Sequence, residues 1–172
     1  MGVMEQIGKG AFTTCYRQTN TKVLLKTTDP VKECMAHGWF PSSHLFPKVE
    51  YVGSKGDKRL YTMNYYHKRS SLKKSLKPSH WKDSQLLRAI MNEFNPFSID
   101  KYSRYSHWYK VFSKIKKRSL REALIGALEA LSNYGSDINF EISPRNVAVS
   151  PTGGLVLLDC FFMSSALKRV RG

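Results

Sequence analysis

The sequence predicts an α+β chain: a strand-rich first part, a mainly helical second part and a polar hairpin near the end. Three observations carry that expectation. Short β-branched and aromatic runs punctuated by turn residues extend to residue 66, helical periodicity begins near residue 71, and strand character returns after the last long helix.

Five stretches read as strands: "GVMEQIG", "FTTCYRQ", "KVLLKTT", "KVEYVG" and "RLYTMNYY", separated by Gly, Asn and Asp. One short helix interrupts them, with Asp29 able to cap it, Pro30 suited to its first position and "VKECMAHGWF" following. Further on, "SHWKDSQLLRAIMNEF" spaces Trp81, Leu86, Ile90 and Phe94 about one turn apart. "SLREALIGALEALSNYG" is the clearest helix. Ser119 and Glu122 have the spacing of a capping box, and Gly135 stands where a helix ends. Leu120, Ala123, Leu124, Ala127, Leu128 and Leu131 make its apolar face. "NVAVS" and "LVLLDCFF" then read as a hairpin around "PTGG". Residues 1–66 and 67–172 are the two expected parts, and no repeat or Gly/Ser-rich linker separates them.

At 172 residues, with 41% hydrophobic and 12% aromatic side chains, the chain can bury a real core. No apolar run is long enough to span a bilayer, and "MGVMEQIGKG" lacks a signal peptide's apolar stretch. Gln6 stands where a myristoylation signal at Gly2 would need Ser or Thr. Cys15, Cys34 and Cys160 form no CxxC and suit a reducing compartment, and the five histidines show no metal-ligand spacing. The expectation is a cytoplasmic protein with no membrane contact. Residues 55–118 hold 17 Lys or Arg and four acids, so +13 of the net charge of +15 lies there. Such a segment suits either a solvated basic surface or an acidic protein or nucleic-acid partner.

Three motifs carry candidate chemistry. In "IGKGAFTTCYR", Gly8 and Gly10 suit a loop whose amides approach phosphate, and an ordinary hairpin turn explains them too. Lys26 closes the apolar run "VLLK", as an exposed strand residue or as a cation over phosphates paired with an acid such as Glu33. In "INFEISPRNVAVSPTGGLVLLDCFF", Asn146 and Asp159 are oxygen ligands of the kind Mg²⁺ takes, and Glu141 is a carboxylate able to orient or deprotonate a hydroxyl.

Their order resembles the eukaryotic-like protein kinase fold. "IGKGAFTTCY" is similar to its Gly-rich loop, "VLLK" to the VAIK strand, "RLYTMNYY" to the strand entering the hinge, "NFEISPRN" to HRDLxxxN and "LLDCFF" to the DFG region. The resemblance implies an antiparallel-sheet N-lobe with one helix over residues 1–66 and a truncated, mainly helical C-lobe over 67–172. Only eleven residues follow Phe161, leaving no activation segment, APE motif or substrate-binding helices. That brevity resembles the small serine/threonine protein kinases of podovirus-type bacteriophages, which block host functions early in infection.

The resemblance implies ATP and Mg²⁺ as cofactors and host proteins, phosphorylated on Ser or Thr in the host cytoplasm, as substrates. Gly8 and Gly10 would cover the phosphates, Lys26 and Glu33 would position them, Asn146 and Asp159 would hold the metal, and Glu141 would orient the hydroxyl. Thr13 replaces the third loop glycine, Glu141 the catalytic Asp, Ser143 the usual lysine and Phe161 the DFG glycine. The competing expectation is a pseudokinase that uses its basic segment as a binding or inhibitor module for an acidic host protein or nucleic acid. A small-molecule kinase shares the fold, but it needs an acidic cleft that this basic chain does not suggest.

Overall fold

A computed structural model describes residues 4–93, 100 and 103–166. Its first part is a five-stranded antiparallel sheet of β1 (Glu5–Lys9), β2 (Thr13–Arg17), β3 (Lys22–Thr27), β4 (Glu50–Lys55) and β5 (Lys58–Asn64), in the order β1-β2-β3-β5-β4. The helix α1 (Pro30–Ala36) falls between β3 and β4. Asp29 caps it as expected: its Oδ1 accepts from the Val31 N–H at 3.0 Å, and Pro30 supplies the first turn.

Alternation along β3 decides which face meets the core. Val23, Leu25 and Thr27 are buried, and their cross-strand partners on β5 are Met63, Tyr61 and Arg59. Directly opposed residues share a face, so these six side chains make the face that α1 covers. Lys26, paired with Thr14 and Leu60, belongs to the other face.

The second part contains α2 (Leu72–Ser75), α3 (Pro78–Glu93), α4 (Arg104–Ser113), α5 (Arg118–Leu131) and a 3₁₀ turn over Ser132–Tyr134. Two small antiparallel pairs follow. β6 (Ile138–Phe140) joins β9 (Phe161–Met163), and β7 (Val147–Val149) joins β8 (Leu155–Leu157). The turn between β7 and β8 is the expected one, with Gly153 at φ +83° supplying a conformation that L side chains rarely adopt. All six expected apolar residues of α5 are buried.

One core runs through both parts. Trp108 and Phe112 of α4 pack on Phe140 of β6, with centroids 5.7 and 5.4 Å away, and Phe140 lies 5.2 Å from Phe161 of β9. Phe161 also meets Phe40 and Phe46 from the segment after α1. The loop and β8 are stitched by the Leu157 N–H, which donates to the Leu45 carbonyl at 2.7 Å. No helix among the described residues is long and apolar enough to cross a membrane.

Two local expectations are corrected. Ser119 and Glu122 form no capping box, because α5 begins at Arg118 and Ser119 is already inside the first turn; Glu122 instead receives the Arg118 Nε–H at 2.8 Å. On α3, Leu87 is the core residue and Leu86 is 40% exposed. Five residues after Trp81, Leu86 stands about 140° away around the helix, whereas Ser84 and Leu87 continue the buried side. Phe94 lies outside the described residues.

Gly126, in the middle of α5, permits a close approach: a Cβ there would stand 3.0 Å from Cγ and 3.2 Å from Cβ of Pro41. Gly126→Leu should destabilise the chain by about 1–3 kcal/mol through overpacking, read as a lower urea midpoint. An unchanged midpoint would mean that the Pro41 loop lifts away without cost.

Candidate functional site

Three of the predicted residues, Glu141, Asn146 and Asp159, come together beside α1 and the two small antiparallel pairs. Backbone bonds set the arrangement. The Glu141 N–H donates to the Cys160 carbonyl at 2.8 Å, and the Leu158 N–H donates to the Asn146 carbonyl at 2.8 Å. Cys160 Sγ lies 3.6 Å from the same Asn146 carbonyl. Glu141, Asn146 and Asp159 are therefore held on adjoining segments, with Glu141 exposed, Asn146 half-buried and the Asp159 side chain 46% exposed.

The cation beside this strip is Lys32, which the sequence reading did not single out. It is only 3% exposed, donates from Nζ to the Leu158 carbonyl at 2.9 Å and lies 3.7 Å from Asp159 Oδ1. Asp29 completes the cluster. Its Oδ1 caps α1, while its Oδ2 is buried with no hydrogen-bond partner. Burial pushes the Asp29 carboxyl up to about 6; Lys32 and the Val31 N–H pull it down, and Asp159 adds to the rise.

The expected Lys26–Glu33 pair is not formed. Glu33 Oε1 instead accepts from Arg59 at 2.5 Å, with His37 3.9 Å away. The reason is strand parity: Arg59 opposes Thr27 on the face under α1, and Lys26 lies one residue out of phase. A helical wheel contains the signal for Lys32. At 100° per residue it stands about 60° from Met35 and beside the buried stripe of Val31, Cys34 and Met35, while Glu33 points away.

Gly8 and Gly10 lie in the β1–β2 region, where the Gly10 N–H donates to the Thr13 carbonyl at 2.8 Å. Neither has positive φ. A Cβ on Gly8 would meet only Cys15 at 3.8 Å, and on Gly10 nothing within 4 Å. Local geometry therefore demands neither glycine, and what they leave clear is space above the hairpin. Thr13, at the third-glycine position, bonds through Oγ1 to Thr27 Oγ1 at 2.7 Å and fastens the hairpin to β3. Phe161, at the DFG glycine position, is a buried strand residue.

Among the described residues no group of three His, Cys, Asp or Glu is placed to hold a metal ion. The carboxylate of Asp159 and the side-chain oxygen of Asn146 are nevertheless the hard donors that Mg²⁺ accepts when phosphate and water complete its shell. The donor set fits that ion in kind, with Lys32 covering one side of Asp159. No family model matches the chain, and no curated protein matches it.

The Asp29 carboxyl generates a pH signature. Between its ordinary value of 3.8 and about 6 the folded chain keeps a proton that the unfolded chain has lost. Its contribution to stability therefore falls as pH rises through that window and is flat above it. Asp29→Asn keeps an oxygen for the Val31 N–H and removes the titration. Its urea midpoint relative to wild type should climb across the window; a constant difference would place the Asp29 pKa at its ordinary value.

Proposed function

We propose that this chain is a minimal protein-kinase-like enzyme that transfers the γ-phosphoryl group of ATP to Ser or Thr of other proteins, host proteins if it is phage-encoded. One observation carries the reading. Lys32 of α1 reaches Leu158, 126 positions away, and meets Asp159 where the Glu141 and Asn146 segments converge. The sheet with a single helix after its third strand, and a hairpin bearing two glycines that local geometry does not require, support it.

In this reading the residues divide the work. Gly8 and Gly10 let backbone amides come close to the phosphates. Asp159 and Asn146 would hold Mg²⁺, which when bound supplies charge neutralisation to the phosphates. Lys32 is a positioning residue: its ammonium fixes the Asp159 carboxylate and the carbonyl of Leu158, whose N–H holds the Asn146 carbonyl. The substrate hydroxyl forms its bond to the γ-phosphorus as the bond to the ADP oxygen breaks, and Glu141 accepts the hydroxyl proton. Lys26, on the sheet face away from α1, has no part in these steps.

A non-catalytic nucleotide-binding module is the second reading. It is favoured by Glu141, whose side chain makes no hydrogen bond or ion pair among the described residues and stands on a longer stem than aspartate.

ATP with Mg²⁺ should raise the melting temperature, by about 2.7 kcal/mol of added stability at a hundredfold excess over Kd. Asp159→Asn should abolish the rise, and Lys26→Ala should keep it. Radiolabelled phosphate should pass from ATP to proteins of a host lysate with wild type and not with Asp159→Asn. Stabilisation without transfer would establish the second reading, and neither effect would remove both.

A further inference from the structure

A second concave feature borders the same loop that carries Glu141. It lies between α2, α3 and residues 142–147, and its apolar walls include Leu72, Trp81, Ile142, Pro144 and Val147. The walls are fixed. The Ile142 N–H points at Met91 Sδ of α3 at 3.2 Å, and the Leu155 N–H donates to His80 Nδ1 at 3.0 Å. The Lys77 N–H donates to the Gly153 carbonyl at 2.9 Å, holding the start of α3 on the β7–β8 turn.

The rim is basic. Arg88 lines the groove, Lys73 and Lys74 follow Leu72, and Arg145 follows Pro144. All four are exposed, and none has an acidic partner among the described residues. Asp83, the acid on this stretch of α3, is taken by Lys117 at 2.6 Å. An apolar floor with unneutralised cations around it matches a chain that offers an apolar side chain flanked by carboxylates. Nucleic acid matches it less well, because the walls hold a single, half-buried aromatic ring on which a base could stack.

We infer that the groove between α2, α3 and residues 142–147 docks an acidic polypeptide segment carrying an apolar side chain. The substrate role of this segment rests on the phosphotransfer reading, because residue 142 follows Glu141 and the docked chain would bring its hydroxyl to that carboxylate. The binding itself does not rest on that reading. The groove supplies, from α3 and one loop, a hold on the polypeptide.

The test uses the full chain without nucleotide, and fluorescence anisotropy of three labelled probes: Glu-Glu-Leu-Ser-Glu-Glu, Lys-Lys-Leu-Ser-Lys-Lys and a short oligo-dT strand. The acidic peptide should bind at least tenfold more tightly than the basic one. Arg88→Glu combined with Arg145→Glu should weaken it about tenfold or more, and Trp81→Ala should weaken it in the same direction. Lys55→Glu, the same change of charge on the β4–β5 hairpin, should leave it within about twofold. Melting curves of the exposed-site variants, expected to match wild type, are the control that each is folded. Equal binding of the two peptides, equal losses in Lys55→Glu and the groove variant, or displacement of the acidic peptide by oligo-dT with tighter binding would each overturn the inference. Absence of ATP–Mg²⁺ stabilisation in wild type would overturn the phosphotransfer reading and leave the docking result to stand or fall separately.

Discussion

The interaction on which the rest depends is the buried Lys32 ammonium. Removing a cation from water is costly unless hydrogen bonds and an opposite charge replace the solvent. Here the Leu158 carbonyl and the Asp159 carboxylate do so, with Asp29 nearby. Once that requirement is met, α1 cannot move independently of the hairpins. The sheet that carries α1 and the loop segments that carry Glu141, Asn146 and Asp159 become one arrangement, and the aromatic contacts of Phe161 with Phe40 and Phe46 fill the space beneath it.

The same cluster is tuned against its own stability. Asp29 serves the first turn of α1 with one oxygen and leaves the other buried and unpaired. Burial raises the pKa of this carboxyl, and the nearby Asp159 carboxylate adds to the rise. The Glu33–Arg59 pair shows the contrasting case. It ties the opposite side of α1 to β5, in a position where solvent shares the charge.

Most of the fold was legible because its signals are local. All five sheet strands, the cap and first turn of α1, the buried face of α5 and the β7–β8 turn are visible in composition and spacing. The site was half legible. Glu141, Asn146 and Asp159 stand on one short stretch, so their proximity follows from a hairpin. Lys26 was open between an exposed strand residue and a cation over phosphates, because "KVLLKTT" alone gives no flag for which face meets the helix, and β3 places it on the face away from α1. Lys32 was hidden because a lysine ordinarily lies on the wet side of a helix. Its place beside Val31 and Met35 on the wheel was the available clue. Leu86 and Ser119 were missed through helix phase and helix start, both of which neighbouring segments decide.

Cys160 follows from this arrangement with a use of its own. Its thiol is buried between the Asn146 segment and β9, and burial raises its pKa, so the nucleophilic thiolate is scarce while the junction is closed. Alkylation of Cys160 therefore cannot proceed faster than the junction opens. The chain carries its own clock for that motion, one residue from Asp159: where a thiol reagent reacts faster than the junction recloses, the rate of Cys160 loss is the rate of opening.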